Sequence, residues 1–180
     1  AAREKFLDIM SAQAERMGRL VADLLSLSRI ELNEHIPPSG RVDLARAAAD
    51  VIDAVSLLAR ERDVTIRLDG EAAGVAVVGD RDEIIQVIQN LVDNAVKYSP
   101  PGATVDLTVQ RGLSAETVAA APPDGLARLP LVTPDREGGT AYAAVTVRDR
   151  GPGMARENLP RLTERFYRVE GQKSGPKEGT

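Results

Sequence analysis

A two-layer α/β sandwich preceded by one long helix is the fold class that the sequence predicts. Three observations carry it. The first 34 residues repeat apolar side chains at heptad spacing and contain no proline. His35-Ile36-Pro37-Pro38-Ser39-Gly40 then breaks that helix, because two prolines remove backbone donors and a glycine releases the turn. Beyond it, short alternating apolar stretches interleave with two segments of helical period, the order expected of a mixed sheet with helices on one face.

In the first helix, Met10, Met17 and Leu24 form one row, and Leu20 and Leu27 the other, with Gln13 as its polar interruption. Rows alternating by three and four residues make a coiled-coil or bundle seam, which Phe6 and Val21 widen. One such helix cannot bury its stripe alone, so a partner is expected from a second chain or from sequence upstream of Ala1. Residues 36–43 read as a hinge, with Arg41-Val42-Asp43-Leu44 as a short extended piece. Leu44 to Arg62 is an Ala-rich helix, Val64 to Leu68 alternates like a half-buried strand, and Val75 to Gly79 is a fuller apolar strand. Asp80 opens the next helix, with Glu83 completing a capping box, and Ile84, Ile88, Leu91 and Ala95 form its expected core stripe. Thr104 to Gln110 and Ala141 to Asp149 are two further strands. Residues 112–139 between them are rich in Pro, Gly and Ala without periodicity and read as an insertion.

Composition excludes several classes of function. A net charge of −4 with both signs interspersed leaves no basic stripe for nucleic acid, and 3% aromatics without tryptophan offers no base-stacking surface. The absence of cysteine rules out disulfides, thiol nucleophiles and thiolate metal sites. Apolar runs fall short of the ~18 residues that span a bilayer, and no signal peptide opens the chain. The polypeptide as given is expected to be soluble, with any membrane attachment supplied by upstream segments.

Two stretches carry the chemistry. On the helix opened by Asp80, Asn94 lies about 40° from Asn90, and Lys97 about 20° to the other side. Amide oxygens of this kind can join a Mg²⁺ shell built mostly of water and phosphate oxygens, and a lysine one turn later supplies a point charge for phosphates. On spacing alone, a solvated helix face accounts for these residues better. The second stretch, Val147-Arg148-Asp149-Arg150-Gly151-Pro152-Gly153-Met154, ends a strand in a carboxylate beside two glycines. Glycines let a ligand approach the backbone closely, and a carboxylate there can accept a bond from an exocyclic amine. An ordinary Asp-Gly turn accounts for the stretch better when it is taken alone.

In combination and in this order, the two stretches are far more specific. Residues 90–102, Asn90-Leu-Val-Asp-Asn94 through Gly102, resemble the N box of sensor histidine kinases; Asp149 to Met154 resembles their G1 box, and Glu164 to Val169 their F box. The preceding Glu15 to Glu31 resembles the second helix of that family's dimerisation and phosphotransfer hairpin, and the junction from Ser28 to Pro38 looks most like phosphate-regulon-type sensors. The resemblance implies the Bergerat α/β sandwich of the GHKL ATPases. It implies residues 1–35 as a dimerisation helix, 36–43 as a hinge, and 44–180 as an ATP-binding domain carrying the 112–139 insertion. It also implies ATP and Mg²⁺ as ligands, with Asn94 as the principal metal ligand and Asn90 as a supporting one. Lys97 would contact phosphates, Tyr98 would line the pocket, and Asp149 would read the adenine amine, with Gly151 and Gly153 shaping the wall. Phe166 would anchor the ATP lid, and Arg168 would point toward the phosphates. Gly179 and Thr180 look like the start of the family's G2 box, the rest of which would lie beyond the chain. The implied partners are a response-regulator receiver domain and a second copy joined through the N-terminal helix, at the cytoplasmic side of a bacterial inner membrane.

One departure limits the activity. The family's phosphoacceptor segment, a histidine followed by an acidic residue, a basic residue and Thr-Pro or Ser-Pro, has no counterpart here. The single histidine, His35, precedes Ile36-Pro37-Pro38 in a helix-breaking context, so no residue of the chain is expected to take a covalent part in catalysis. Two rivals share the motifs. A GHKL-type ATPase or anti-sigma serine kinase keeps the fold, but Asn90 stands where ATPases of that superfamily place a glutamate base, and an amide cannot take a proton from water. A non-catalytic dimerisation module would not require Asn94, Lys97 and Asp149 together.

Overall fold

A computed structural model describes residues 2–33, 35–70, 74–119 and 141–162 of the chain. The chain divides into two units, Ala1–Pro38 and Ser39–Thr180.

The first unit is a single helix, α1 (Ala2–Asn33), followed by an exposed turn that contains His35. Phe6, Met10, Met17, Val21 and Leu24 are all exposed along it. Leu20 and Leu27 are helical, and their side chains lie outside the described ones.

The second unit runs β1 (Arg41–Asp43), α2 (Leu44–Glu61), β2 (Thr65–Gly70), β3 (Ala76–Val78), α3 (Arg81–Tyr98), β4 (Thr104–Leu113), α4 (Ala115–Ala119) and β5 (Tyr142–Arg148), and then a 3-10 helix over Arg156–Arg161. The mixed sheet expected from the sequence consists of β2, β4 and β5: β2 runs parallel to β4 with Leu68 opposite Leu107, and β5 runs antiparallel with Val147 opposite Leu107. β1 and β3 form a separate antiparallel pair in which Val42 faces Val77. Each of these strands is only three residues long, because each runs straight into a helix cap, at Asp43 and Asp80.

The core lies between α2, α3 and the three-stranded sheet. Leu44, Ala48, Val51, Val55 and Ala59 recur at helical spacing along one stripe of α2, and Val105, Leu107 and Val109 alternate along β4; all are buried. On α3 the buried residues are Ile88, Val92, Ala95 and Val96. This corrects the expected stripe: Leu91 is exposed, and its neighbour Val92 enters the core. The shift comes from the pairing of α3 with both α2 and the sheet, which widens the buried face beyond the single row of residues 84, 88, 91 and 95.

β4 also runs further than expected, taking in Gly112 and Leu113 from the stretch read as an insertion. An extra β4 residue between Gln110 and Leu113 makes a bulge that lets pairing resume at Leu113 opposite Tyr142. Ser114 then caps α4, its Oγ accepting the Thr117 N–H at 3.1 Å.

Candidate functional site

Asp80 sets the site by fixing the phase of α3. Its Oδ1 accepts the backbone N–H groups of Asp82 at 2.8 Å and Glu83 at 3.1 Å, two donors that a helix start leaves without intrahelical partners. With Val92 and Val96 turned into the core, Asn90 and Asn94 lie on the opposite side of the helix, exposed and one turn apart. Lys97 and Tyr98 follow in the last turn, both half-buried, with the Lys97 Nζ 5.8 Å from the centre of the Tyr98 ring. An Arg62 guanidinium nitrogen donates to the carbonyl oxygen of Lys97 at 3.3 Å, so α2's C-cap residue also closes the end of α3. The half-buried carboxyl of Asp93 is pushed above the ordinary carboxylate range by desolvation.

The second half of the site is the turn after β5. Asp149 is exposed, and its Oδ1 accepts the N–H of Gly151 at 2.8 Å, a local bond that fixes the carboxylate over its own turn. Oδ2 is left as the remaining acceptor. Gly151 is glycine because of what adjoins it: a Cβ there would stand 2.7 Å from the Tyr98 carbonyl oxygen and 2.8 Å from Asp149 Oδ1. Gly153 faces open space, and there the requirement is the backbone itself, at φ +69°.

The structure therefore brings the Tyr98 carbonyl, Gly151 and Asp149 together where the end of α3 meets the turn; Lys97 adjoins Tyr98 in the last turn of that helix, and Asn94 precedes Tyr98 by one turn. Asn90 lies one turn further back. Phe166, Arg168, Gly179 and Thr180 lie outside the described residues. Three residues of this region were not anticipated from the sequence: Arg62, Arg150 and Asp106. Arg150 lies within 2.9 Å of Asp106 and also bonds the Thr104 carbonyl. Only the basic residue inside the glycine turn offered a signal; its partner is 44 residues away.

Among the described residues no three His, Asp or Glu side chains gather as a metal-binding set. A hard cation at this face would have the amide oxygens of Asn90 and Asn94 to use, with the rest of its shell coming from water or from a ligand's oxygens. Amide donors beside a lysine suit a cation that arrives bound to phosphate. No helix among the described residues is long and apolar enough to cross a membrane.

Known proteins share this sequence pattern and fold. The family described as histidine kinase-, DNA gyrase B-, and HSP90-like ATPase matches residues 79–180. The sensor-like histidine kinase SenX3 of Mycolicibacterium smegmatis is 28% identical over 98% of the chain and 38% of its own length. The sensor protein QseC of Salmonella typhi is 30% identical over 94% of the chain and 31% of its own length. The chain thus spans about a third of the length of the curated relatives it matches. Among solved structures, the mycobacterial sensor histidine kinase MprB superposes with a TM-score of 0.50 at 22% identity, covering 76% of this chain and 71% of that one, a likeness of fold.

Proposed function

Since the chain belongs to the family of histidine kinase-, DNA gyrase B- and HSP90-like ATPases, we propose that it is the ATP-holding catalytic portion of a sensor histidine kinase. The whole protein would transfer the γ-phosphoryl group of ATP to a histidine on a helix outside this chain, for relay to an aspartate of a response-regulator receiver domain. Asn94, supported by Asn90, would hold Mg²⁺, which when bound neutralises charge on the triphosphate. Lys97 would contact the phosphates, and Tyr98 would line the nucleotide pocket. Asp149 would accept a bond from the adenine amine. Phe166 and Arg168 would belong to a lid, and Gly179 and Thr180 to a phosphate-binding loop. Phosphoryl transfer asks the protein chiefly for positioning and charge neutralisation, and every residue named here binds or orients.

The observation that carries this is the contact between the Tyr98 carbonyl and Gly151, which puts the amide-and-lysine helix beside the aspartate turn. The exposed apolar row of α1 supports residues 1–35 as one helix of a homodimeric bundle, joined through 36–43 to the ATP-binding domain of residues 44–180 with its 112–139 insertion. In the full-length protein this portion would sit at the cytoplasmic side of the inner membrane. The test is incubation of the full-length protein with γ-labelled ATP. An acid-labile, base-stable phosphate that disappears in Asp149→Asn is expected. Release of free phosphate with no protein-bound label would instead make the protein an ATPase.

A further inference from the structure

Asp106 occupies the middle strand of the three-stranded sheet, on the face of β4 opposite Val105, Leu107 and Val109. Its side chain is only 12% exposed, and its two oxygens are served differently: Arg150 donates to Oδ2 at 2.9 Å, whereas Oδ1 lies 2.8 Å from an Arg67 nitrogen of β2 as an ion pair without the geometry of a hydrogen bond. Arg150 extends its other arm to the carbonyl oxygen of Thr104 at 2.5 Å. One planar fork therefore grips β4 at two positions, a geometry that a lysine cannot reproduce. Arg148 is the last β5 residue in the ladder, opposite Asp106, so a continued ladder would set residue 150 opposite Thr104. The backbone leaves the sheet instead, and the Arg150 side chain takes over the pairing.

The turn is thereby bounded on two sides. Arg150 ties it to β4, Gly151 rests against the Tyr98 carbonyl, and Asp149 lies immediately before both. Arg67 is a different kind of neighbour: it also pairs with Asp69 at 2.9 Å on its own strand and touches nothing in the turn among the contacts described. We infer that the Asp106–Arg150 pair is a positioning device for Asp149, and that it sets how strongly the site prefers a 6-aminopurine over a 6-oxopurine nucleotide. This rests on the function proposed for the site. Asp149 is exposed, and among the described residues its side chain bonds Gly151 alone, within the same turn, so the turn's anchorage decides where its other oxygen stands.

Competition of ADP and IDP against a fluorescent ADP analogue on the full-length protein, at fixed Mg²⁺, tests it. The wild-type chain is expected to prefer ADP, and Asp149→Asn to lose that preference. Arg150→Ala and Asp106→Asn should each cut the ADP-to-IDP ratio by about tenfold, the scale of one charge-assisted hydrogen bond, with IDP affinity unmoved. Arg150→Lys should recover part of the ratio, and Arg67→Ala, which leaves the fork in place, should keep it whole. Arg150 is half-exposed, so its alanine variant should fold even if Asp106→Asn does not. Wild-type preference in Arg150→Ala alongside a loss in Asp149→Asn would overturn the positioning role, and so would an equal loss in Arg67→Ala. ADP binding by Asp149→Asn as tight as in the wild type would instead strike at the nucleotide assignment itself, and the positioning role would fall with it.

Discussion

The carbonyl oxygen of Tyr98 lies 2.7 Å from the point where a Cβ on residue 151 would stand. The end of α3 and the turn after β5 are therefore held at a separation that only glycine permits. Real Cβ contacts to backbone are not this short, so Gly151→Ala must push the helix end and the turn apart. The expected result is nucleotide binding weakened by at least tenfold, read by titration calorimetry with ADP and Mg²⁺. Gly153 makes the contrast. Its surroundings are open and its constraint is φ +69°, a region that asparagine visits at little cost. Gly153→Asn should bind nearly as the wild type does, whereas Gly153→Ala should lose about 1 kcal/mol of stability. Equal binding by Gly151→Ala and Gly153→Asn would mean that the contact does not shape the site.

Asn94 is exposed, one turn before Tyr98, on the side of α3 away from the core. If its amide oxygen contributes to a cation shell, the effect of removing it must depend on the cation. Asn94→Ala should lower ADP affinity by about tenfold in Mg²⁺, the scale of a bond to a charged partner, and by much less in excess chelator. The same loss under both conditions would assign Asn94 a contact with the nucleotide itself.

The face of α3 that enters the core is open to direct measurement. Val92→Ala removes two methyl groups from a fully buried site and should cost about 2 kcal/mol in urea unfolding. Leu91→Ala, at an exposed position, should stay within about 0.5 kcal/mol of the wild type. The reverse order would mean that the helix is rotated by one residue from the orientation described.

These residues also mark how far the sequence could be read. α2 was legible because its buried alanines and valines keep helical spacing, and α3 was legible from its Asp80 cap, since both signals are local. Leu91 was misplaced because a helix that touches both a neighbouring helix and a sheet buries a broader stripe than one apolar row suggests. The pairing of β1 with β3 was hidden, since it joins strands of three residues across an intervening helix and strand. At the site, Asn90, Asn94, Lys97 and Asp149 were picked out by the resemblance of their two stretches, taken in order, to the motifs of a known family, since spacing alone favoured a solvated helix face. The Arg150 grip on Asp106 and Thr104, and the approach of Tyr98 to Gly151, are spatial facts between residues 44 or more apart, with no periodicity to announce them.

Asp43 is another residue whose importance is spatial. One carboxylate oxygen caps α2 by accepting the N–H groups of Ala45 at 3.0 Å and Arg46 at 3.3 Å, and the other accepts the Gly74 N–H at 2.8 Å. The bond from Gly74, followed by that from Arg46, favours the ionised form and lowers the Asp43 pKa below its ordinary value. A group whose folded-state pKa is depressed stabilises the fold fully above its unfolded pKa, about 3.9, and loses that stabilisation as pH falls through the lower folded value. Asp43 should thus contribute an acid limb below about pH 4 to the profile of stability against pH. Asp43→Asn should flatten that limb and should also lower stability at pH 7, because a neutral amide oxygen accepts the same N–H bonds more weakly. Urea midpoints for the two proteins between pH 2.5 and 7 give the comparison: profiles that stay parallel throughout would mean that Asp43 is not ionised differently in the folded and unfolded chains.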